Sequence, residues 1–416
     1  MTEPLAPPPK KDPQIRTRVP VRPPSSRSRA ATMMTAFAAE GRFALQVCGG
    51  CGAAQYPPRD ACNRCLDIRL TWQDINPLGE VLAATTVRTS TVPYFRERTP
   101  WRVATVGMDC GPSIMCHLHG DCAVGDRVRI INRLDKAGHG ALMALPIKET
   151  PHMHDDALLR ELTCDPKHRR VLITDGRSES GVALARALVE AGASLVFVGE
   201  AESWLPHPYR ETLASIDAVH LLPLDVTDSD SVLKLSGEIG GKVDILVNNA
   251  RFVRPGGVMD RRDVVHAREE MDVNYLGLMR LAQHFGTQMR ARGADGDNSA
   301  CAWVNLLSVY ALSNLPDFGT YSASHAAALS LAQCLRAEMR PAGLRVMNVF
   351  TGPTEDEWHQ PLPPPKVAPD ALARAVVSSL KDGLEDVYVG DVAKDLRERM
   401  DASAKVTERE LTEGDA

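Results

Sequence analysis

Beyond residue 170 the chain alternates two hydrophobic patterns. Short, nearly continuous apolar runs appear as VLITDG (171–176), SLVFVGE (194–200), HLLPLDV (220–226), KVDILVNNA (242–250), CAWVNLLSV (301–309) and LRVMNVFTG (344–352). Between several of them lie stretches such as GVALARALVEAGA (181–193) and SASHAAALSLAQCLRAEM (322–339). There apolar residues return every three or four positions, as on one face of a helix. Continuous runs predict strands buried on both faces, and helices between them predict a parallel sheet covered on both sides. The expectation for 170–392 is therefore an α/β doubly wound, Rossmann-like domain.

Upstream the pattern is different. EVLAATTV, WRVATVGMD, PSIMCHLHG and DRVRIINRL are short runs broken by Gly, Pro or Asp, which predicts a small antiparallel β barrel or sandwich over 71–150. A helix leading into a cysteine cluster is expected over 33–70, a polar linker over 151–169, and a charged, partly helical tail over 393–416. Residues 1–32 are rich in Pro and basic side chains and are expected to be a disordered extension.

Composition excludes several classes. The chain has 416 residues, enough for two or three domains, and its 44% hydrophobic content is that of a globular protein. A formal charge of -5 gives no electrostatic case for nucleic acid. No apolar run approaches the roughly 18 to 20 residues that span a bilayer, and the first 30 residues lack the apolar segment of a secretory signal. Ten cysteines, four of them in two close pairs, suit a reducing compartment and one metal site better than a disulfide framework. The expected location is cytoplasmic.

Those four residues are the sharpest chemical signal: Cys48-x2-Cys51-x10-Cys62-x2-Cys65. Each CxxC sets two thiolates on one tight knuckle, and two knuckles give tetrahedral sulfur coordination suited to Zn2+. With every position filled by protein the ion is expected to be structural, with iron as the alternative. The stretch FALQVCGGCGAAQYPPRDACNRC, then Trp72, Gly79-Glu80-Val81, TVPYFRERTPWRVATVGMDCG and Gly125-Asp126-Arg127-Val128, resembles a small acyl-CoA-associated family. In that family a short helix and a rubredoxin-like zinc ribbon precede an OB-fold barrel. The resemblance implies an accessory role beside a thiolase-like condensing enzyme or a hydratase, with a CoA ester as bound substrate. Arg96, Arg98 and Arg102 are candidates to meet its phosphates, against the plainer reading of a solvated basic loop.

Residues 170–392 resemble the short-chain dehydrogenase/reductase family through VLITDGRSESGVALARALVEAGA, Asp225-Val226, LVNNA, DVNYLG, Ser308, YSASH and NVFTGPT. The resemblance implies that Ser308 steadies a substrate oxygen, Tyr321 transfers its proton, and Asn274 completes a relay. The family's Lys falls on His325. Its phosphate loop, Thr-Gly-x-x-x-Gly-x-Gly, falls on 174–181, with Asp175 and Glu179 in place of two glycines. A carboxylate there opposes a pyrophosphate, which needs bare backbone at a helix N-terminus. Asp175 is expected instead to cap the following helix. Arg251 replaces a further glycine and is expected to pair with Asp175 or Glu179. Any dinucleotide still held would rest on Gly176, Gly181, Glu200 and Asn249, and Glu200 would favour NAD over NADP.

Two functional expectations follow. The first is a non-redox accessory subunit of a thiolase-type complex acting on a β-ketoacyl-CoA, a hetero-oligomer with a dimeric core. The alternative is an NAD-dependent β-hydroxyacyl-CoA dehydrogenase using Ser308 and Tyr321.

Overall fold

The computed structural model describes residues 2–10, 19–296 and 299–413. They form two units, one built mainly on Val19–Asp165 and the other mainly on Pro166–Ser379 together with residues 386–413.

The first unit opens with helix α1 (Thr32–Ala39), which buries Met34, Phe37 and Ala38. Strands β1 (Ala44–Cys48), β2 (Ala54–Gln55) and β3 (Leu70–Asp74) form a small antiparallel sheet in the order β2-β1-β3. The cysteine knuckles lie in the connections of this sheet. Strand β4 (Leu78–Val87), the short helix α2 (Pro93–Arg96), β5 (Trp101–Met108), β6 (Ser113–Leu118), β7 (Arg127–Leu134) and β8 (Gly140–Pro146) follow. The five strands close into a barrel in the order β4-β5-β6-β8-β7. Alternation is clearest in β5, where Trp101, Ala104, Val106 and Met108 point into the core. Gly79 is required by a close approach: a Cβ there would lie 2.6 Å from the Gly107 carbonyl. The sequence pattern resolves four barrel strands and misses β8. Helix α3 (Ala157–Leu162) is capped by Asp156, whose carboxylate accepts from the Leu158 and Leu159 amides. At the N-terminus the Thr2 hydroxyl donates to Asp121 at 3.1 Å and the Leu5 amide to Asp155 at 3.1 Å. Residues 11–18 of the expected disordered extension lie outside the described residues.

In the second unit β9 (Arg170–Ile173), α4 (Glu179–Glu190), β10 (Leu195–Glu200), α5 (Arg210–Ala214), β11 (Val219–Pro223), α6 (Ser229–Ile239) and β12 (Ile245–Asn248) alternate. A long helical stretch follows: α7 (Val265–Met271), a π-helical segment Asp272–Gly277, α8 (Leu278–Leu281), a second π-helical segment Ala282–Gly286, and α9 (Thr287–Ala291). Then come β13 (Ala302–Ser308), α10 (Gly319–Met339), β14 (Arg345–Thr351), α11 (Pro369–Asp382), β15 (Asp386–Val389) and α12 (Asp391–Glu413). All seven strands are parallel, in the order β11-β10-β9-β12-β13-β14-β15. The core is built on Trp303, Phe285, Phe350 and Leu172, each at most 2% exposed. The sequence pattern finds six of these strands. It misses β15 because DVYV is short and only half-buried.

The strand order reverses beside β9, so the C-terminal ends of β9, β10 and β12 face a crevice of the kind that receives a dinucleotide in open α/β sheets.

Candidate functional site: a cysteine clamp and a filled cleft

In the first unit the four cysteine sulfurs lie within 4.8 Å of one another. Cys48 and Cys65 are 3.5 Å apart, and Cys51 and Cys62 are 3.6 Å apart. A tetrahedron with Zn–S bonds of about 2.3 Å has edges of about 3.8 Å, so the donor set fits zinc. The Gly50 amide donates to the Cys48 sulfur at 3.3 Å and the Arg64 amide to the Cys62 sulfur at 3.4 Å. Such donors stabilise thiolates. The Cys65 and Arg64 amides draw the Cys62 thiol down to about 6. Among the described residues this is the one group of His, Cys, Asp and Glu side chains close enough to hold a metal. Four protein ligands leave no open position, so a zinc ion here would be structural.

The arginines considered for phosphate contact divide on inspection. Arg98 stacks on the Tyr94 ring at 4.0 Å and pairs with Glu161 at 3.1 Å. Arg102 donates to the carbonyls of His119, Gly120 and Cys122 at 2.7 to 2.8 Å. Both are therefore used inside the fold, and only Arg96 stays exposed.

In the second unit Ser308 ends β13, while Tyr321 and His325 sit one turn apart on α10 with ring centroids 4.4 Å apart. Burial pushes the Tyr321 phenol up, against the opposing influence of the Arg251 charge. His325 is 3% exposed and its Nδ1 accepts from the Ser308 amide at 3.2 Å. Nε2 therefore carries the proton, and it has no hydrogen-bond partner among the described residues. Burial, with Arg251 and His359 nearby, drives the imidazole down to about 3. It is neutral at any ordinary pH and does not reproduce the positive charge of a Lys.

Asn274 lies in the π-helical segment, and its side chain is fully engaged. It accepts from the Phe252 amide and donates to the Phe252 carbonyl and the Ser324 hydroxyl, each at 2.9 Å. Asn249 binds the backbone of the degraded loop, accepting from the Asp175 amide at 2.9 Å and donating to its carbonyl at 2.6 Å.

Two pairings differ from expectation. Arg251 reaches neither Asp175 nor Glu179. It bonds Asp356 at 2.5 Å and the Thr354 hydroxyl at 3.0 Å. The cap of α4 is Ser178, whose hydroxyl accepts from the Gly181 amide at 3.1 Å, and Asp175 instead turns back to Arg177. Ser has the shorter reach and stands directly before the helix, which is where a cap acts. Gly181 is fixed by packing, since a Cβ would lie 2.6 Å from the Asp175 carbonyl.

Sequence reasoning missed a further cluster in the loop after β14. Asp356 accepts from the Trp358 and His359 amides and from His359 Nδ1, the last at 2.9 Å. His359 stacks on Phe318 with centroids 5.5 Å apart and lies 6.3 Å from the Tyr321 ring. Although burial pushes the Asp356 carboxyl up, His359 and Arg251 hold it well below the usual carboxylate range. Phe318, Tyr321 and Val253 pack with Trp358 and Leu362 as a small separate core. The Asp-x-x-His spacing was the available signal, hidden in a stretch that resembles an ordinary polar loop.

A doubly wound sheet with Ser, Tyr and Asn at these places defines a Rossmann-type reductase domain, joined here to a four-cysteine ribbon and a five-stranded barrel. A short chain dehydrogenase family model matches residues 169–366. Models of the rubredoxin-like zinc ribbon domain and the C-terminal OB-fold domain of ChsH2 match 35–68 and 72–133. The short-chain dehydrogenase ptmH of Penicillium ochrochloron is 36% identical over 194 residues, 44% of this chain and 65% of that protein. Chanoclavine-I dehydrogenase ifgE of Penicillium roqueforti is 30% identical over 241 residues, 55% of this chain and 89% of that one. A short chain dehydrogenase from Burkholderia cenocepacia, solved with NADP, superposes with a TM-score of 0.53 at 30% identity, over 58% of this chain and 97% of that chain. The chain belongs to the short chain dehydrogenase family through its second unit, with a ChsH2-like zinc ribbon and OB fold preceding it. It spans 65% and 56% of the length of the first curated relatives it matches. No helix among the described residues is long and apolar enough to cross a membrane.

Proposed function

We propose that the protein is a non-redox accessory subunit of a thiolase-type complex acting on a β-ketoacyl-CoA. The zinc-ribbon and OB-fold unit stabilises the condensing enzyme or helps seat its CoA ester, and the reductase-like unit serves as scaffold within a hetero-oligomer that has a dimeric core. The observation that carries this reading is the tandem match to the ChsH2 ribbon and OB fold, beside a reductase cleft whose cation position holds the buried, neutral His325. The dinucleotide does not fit well. Asp175 and Glu179 stand in the phosphate loop, and Glu200 is 2% exposed and already bonded to His207.

The test is isolation at low salt from the cells that make the protein. Native mass is measured, co-eluting chains are identified, and the complex is assayed for CoA-dependent cleavage of β-ketoacyl-CoA. A stoichiometric thiolase-like partner with that activity is the expected result. A clean homo-oligomer that oxidises NADH overturns the proposal.

One observation favours the second reading, an NAD-dependent β-hydroxyacyl-CoA dehydrogenase. The Arg251 charge acts on the Tyr321 phenol in the sense a Lys would, lowering its pKa. Titration with NADH, followed by quenching of protein fluorescence, separates the two readings.

A further inference from the structure

We propose that residues 201–210 form a built-in strap that closes the adenosine end of the dinucleotide cleft, with His207 seated on the carboxylate that would otherwise receive a ribose diol. In dinucleotide-binding sheets an acidic residue about 20 positions beyond the glycine loop, at the end of the second strand, accepts from the adenosine ribose hydroxyls. Glu200 ends β10 at that place. Both of its oxygens are already spoken for by the segment that follows. His207 Nε2 bonds Oε1 at 2.7 Å, and Arg210 Nη1 lies 3.5 Å from Oε2.

The chain is shaped to make this return. Glu202 adopts a left-handed φ of 51°, which reverses the backbone directly after the strand. The Leu205 amide closes the turn on the Glu202 carbonyl at 2.8 Å, and Arg210 binds the Ser203 carbonyl at 2.6 Å. The strap is also latched to the altered phosphate loop. Arg177 pairs with Asp175 at 3.2 Å and reaches Glu202 at 3.6 Å. Gly176, the offset glycine of that loop, is held by packing on the same side. A Cβ there would lie 2.5 Å from Val198 and 2.9 Å from Leu213 of α5. The altered phosphate loop and the strap are thus tied together: Asp175, which stands where the family has a glycine, holds the Arg177 that reaches Glu202.

A ribose diol entering this end must displace His207 and leave Glu200 without its partners or take their place. The strap therefore sets the cleft's selectivity against adenosine nucleotides, independently of any thiolase partner.

The test is AMP binding, followed by calorimetry and ligand-observed NMR on the full, zinc-loaded chain. The wild type is compared with His207→Ala/Arg210→Ala. The expected result is at least about tenfold tighter AMP binding in the double variant, cancelled when Glu200→Ala is added. Adenosine 3′,5′-bisphosphate, which carries the 3′-phosphate of CoA in place of the free diol, should gain nothing because Glu200 repels it. Arg177→Gln, at a side chain 35% exposed, loosens only the latch and serves if the double variant fails to fold. It should give a smaller gain in the same direction. Wild-type protein that binds AMP as tightly as the variants, or folded variants that gain nothing, would overturn the strap. Neither outcome bears on whether a thiolase partner exists.

Discussion

The cysteine clamp and the reductase cleft both carry residues that point to a chemistry, yet they differ in what surrounds those residues. At the clamp the four sulfurs converge on one point, and backbone amides of Gly50 and Arg64 donate to the Cys48 and Cys62 sulfurs. In the cleft Ser308, Tyr321 and Asn274 keep their places, but the neighbouring groups are consumed by one another. Arg251 is held by Asp356, Asp356 by His359, Glu200 by His207, and Asn274 by the Phe252 backbone. Residue identity alone does not make a site; donors and acceptors must be left over for a ligand.

The largest effect tests the clamp. A structural zinc ion contributes folding free energy on the order of 10 kcal/mol in small modules. Metal analysis should find one zinc per chain. Chelation or Cys62→Ser should unfold the ribbon while the second unit keeps its own thermal transition. A ribbon that stays folded without metal would erase the contrast between the two regions.

The next effect tests the cleft. Asp356→Ala removes the acceptor shared by Arg251, His359 and the Thr354 hydroxyl. The side chains of Arg251 and Asp356 are 26% and 21% exposed, so water recovers part of the loss. A destabilisation of about 2 kcal/mol is expected, below the roughly 3 to 5 kcal/mol of a fully buried pair. Chemical denaturation of the second unit's transition measures it. A change under about 0.5 kcal/mol would mean the pairing is ornamental and the cleft less filled than its contacts imply.

The clamp was legible because its four ligands are close in sequence and their spacing carries the geometry. Six strands of the second unit were legible for a similar local reason: each is a nearly continuous apolar run. The filling of the cleft was not legible, because it depends on partners that sequence distance conceals. Arg251 and Asp356 are 105 residues apart, and nothing local favours that pairing over Asp175. His207 stands only seven residues from Glu200, but the left-handed turn at Glu202 that brings it back leaves no compositional mark. The missed strands β8 and β15 follow the same logic. GALMALP begins with Gly and ends in Pro, and DVYV is too short to stand out from the helix before it.

Acid sharpens the comparison further. His325 in the second unit is held at about 3, and His117 in the first is driven by burial to about 4. His117, half-buried, accepts from the Trp101 indole at 2.8 Å, so both imidazoles are neutral acceptors at Nδ1. In the unfolded chain each titrates near 6.5. Below that value the unfolded state takes up a proton that the folded state refuses, so stability is full above about pH 6.5 and falls with pH. Each should lose about 2 kcal/mol by pH 5. His325→Gln, whose amide can still accept from Ser308, should flatten the pH dependence of the second unit and leave the first unchanged. Equal slopes in the variant and wild type would show that His325 is not the titrating group.

The smallest expected effect is the most direct challenge to the filled cleft. The double variant His325→Lys/Arg251→Gly returns the family's cation and one of its glycines. We expect no measurable oxidation of NADH with a β-ketoacyl-CoA. Asp175 and Glu179 still oppose a pyrophosphate, and His207 still sits on Glu200. The new ammonium would also lie among Tyr321, Ser308 and His359, where burial depresses its pKa and weakens the field it was meant to restore. Adding His207→Ala/Arg210→Ala without repairing the phosphate loop should permit AMP binding but still no turnover, because hydride transfer needs the whole dinucleotide placed. Turnover in the first double variant would mean that two residues, and not a cleft closed along its length, separate this chain from a working reductase.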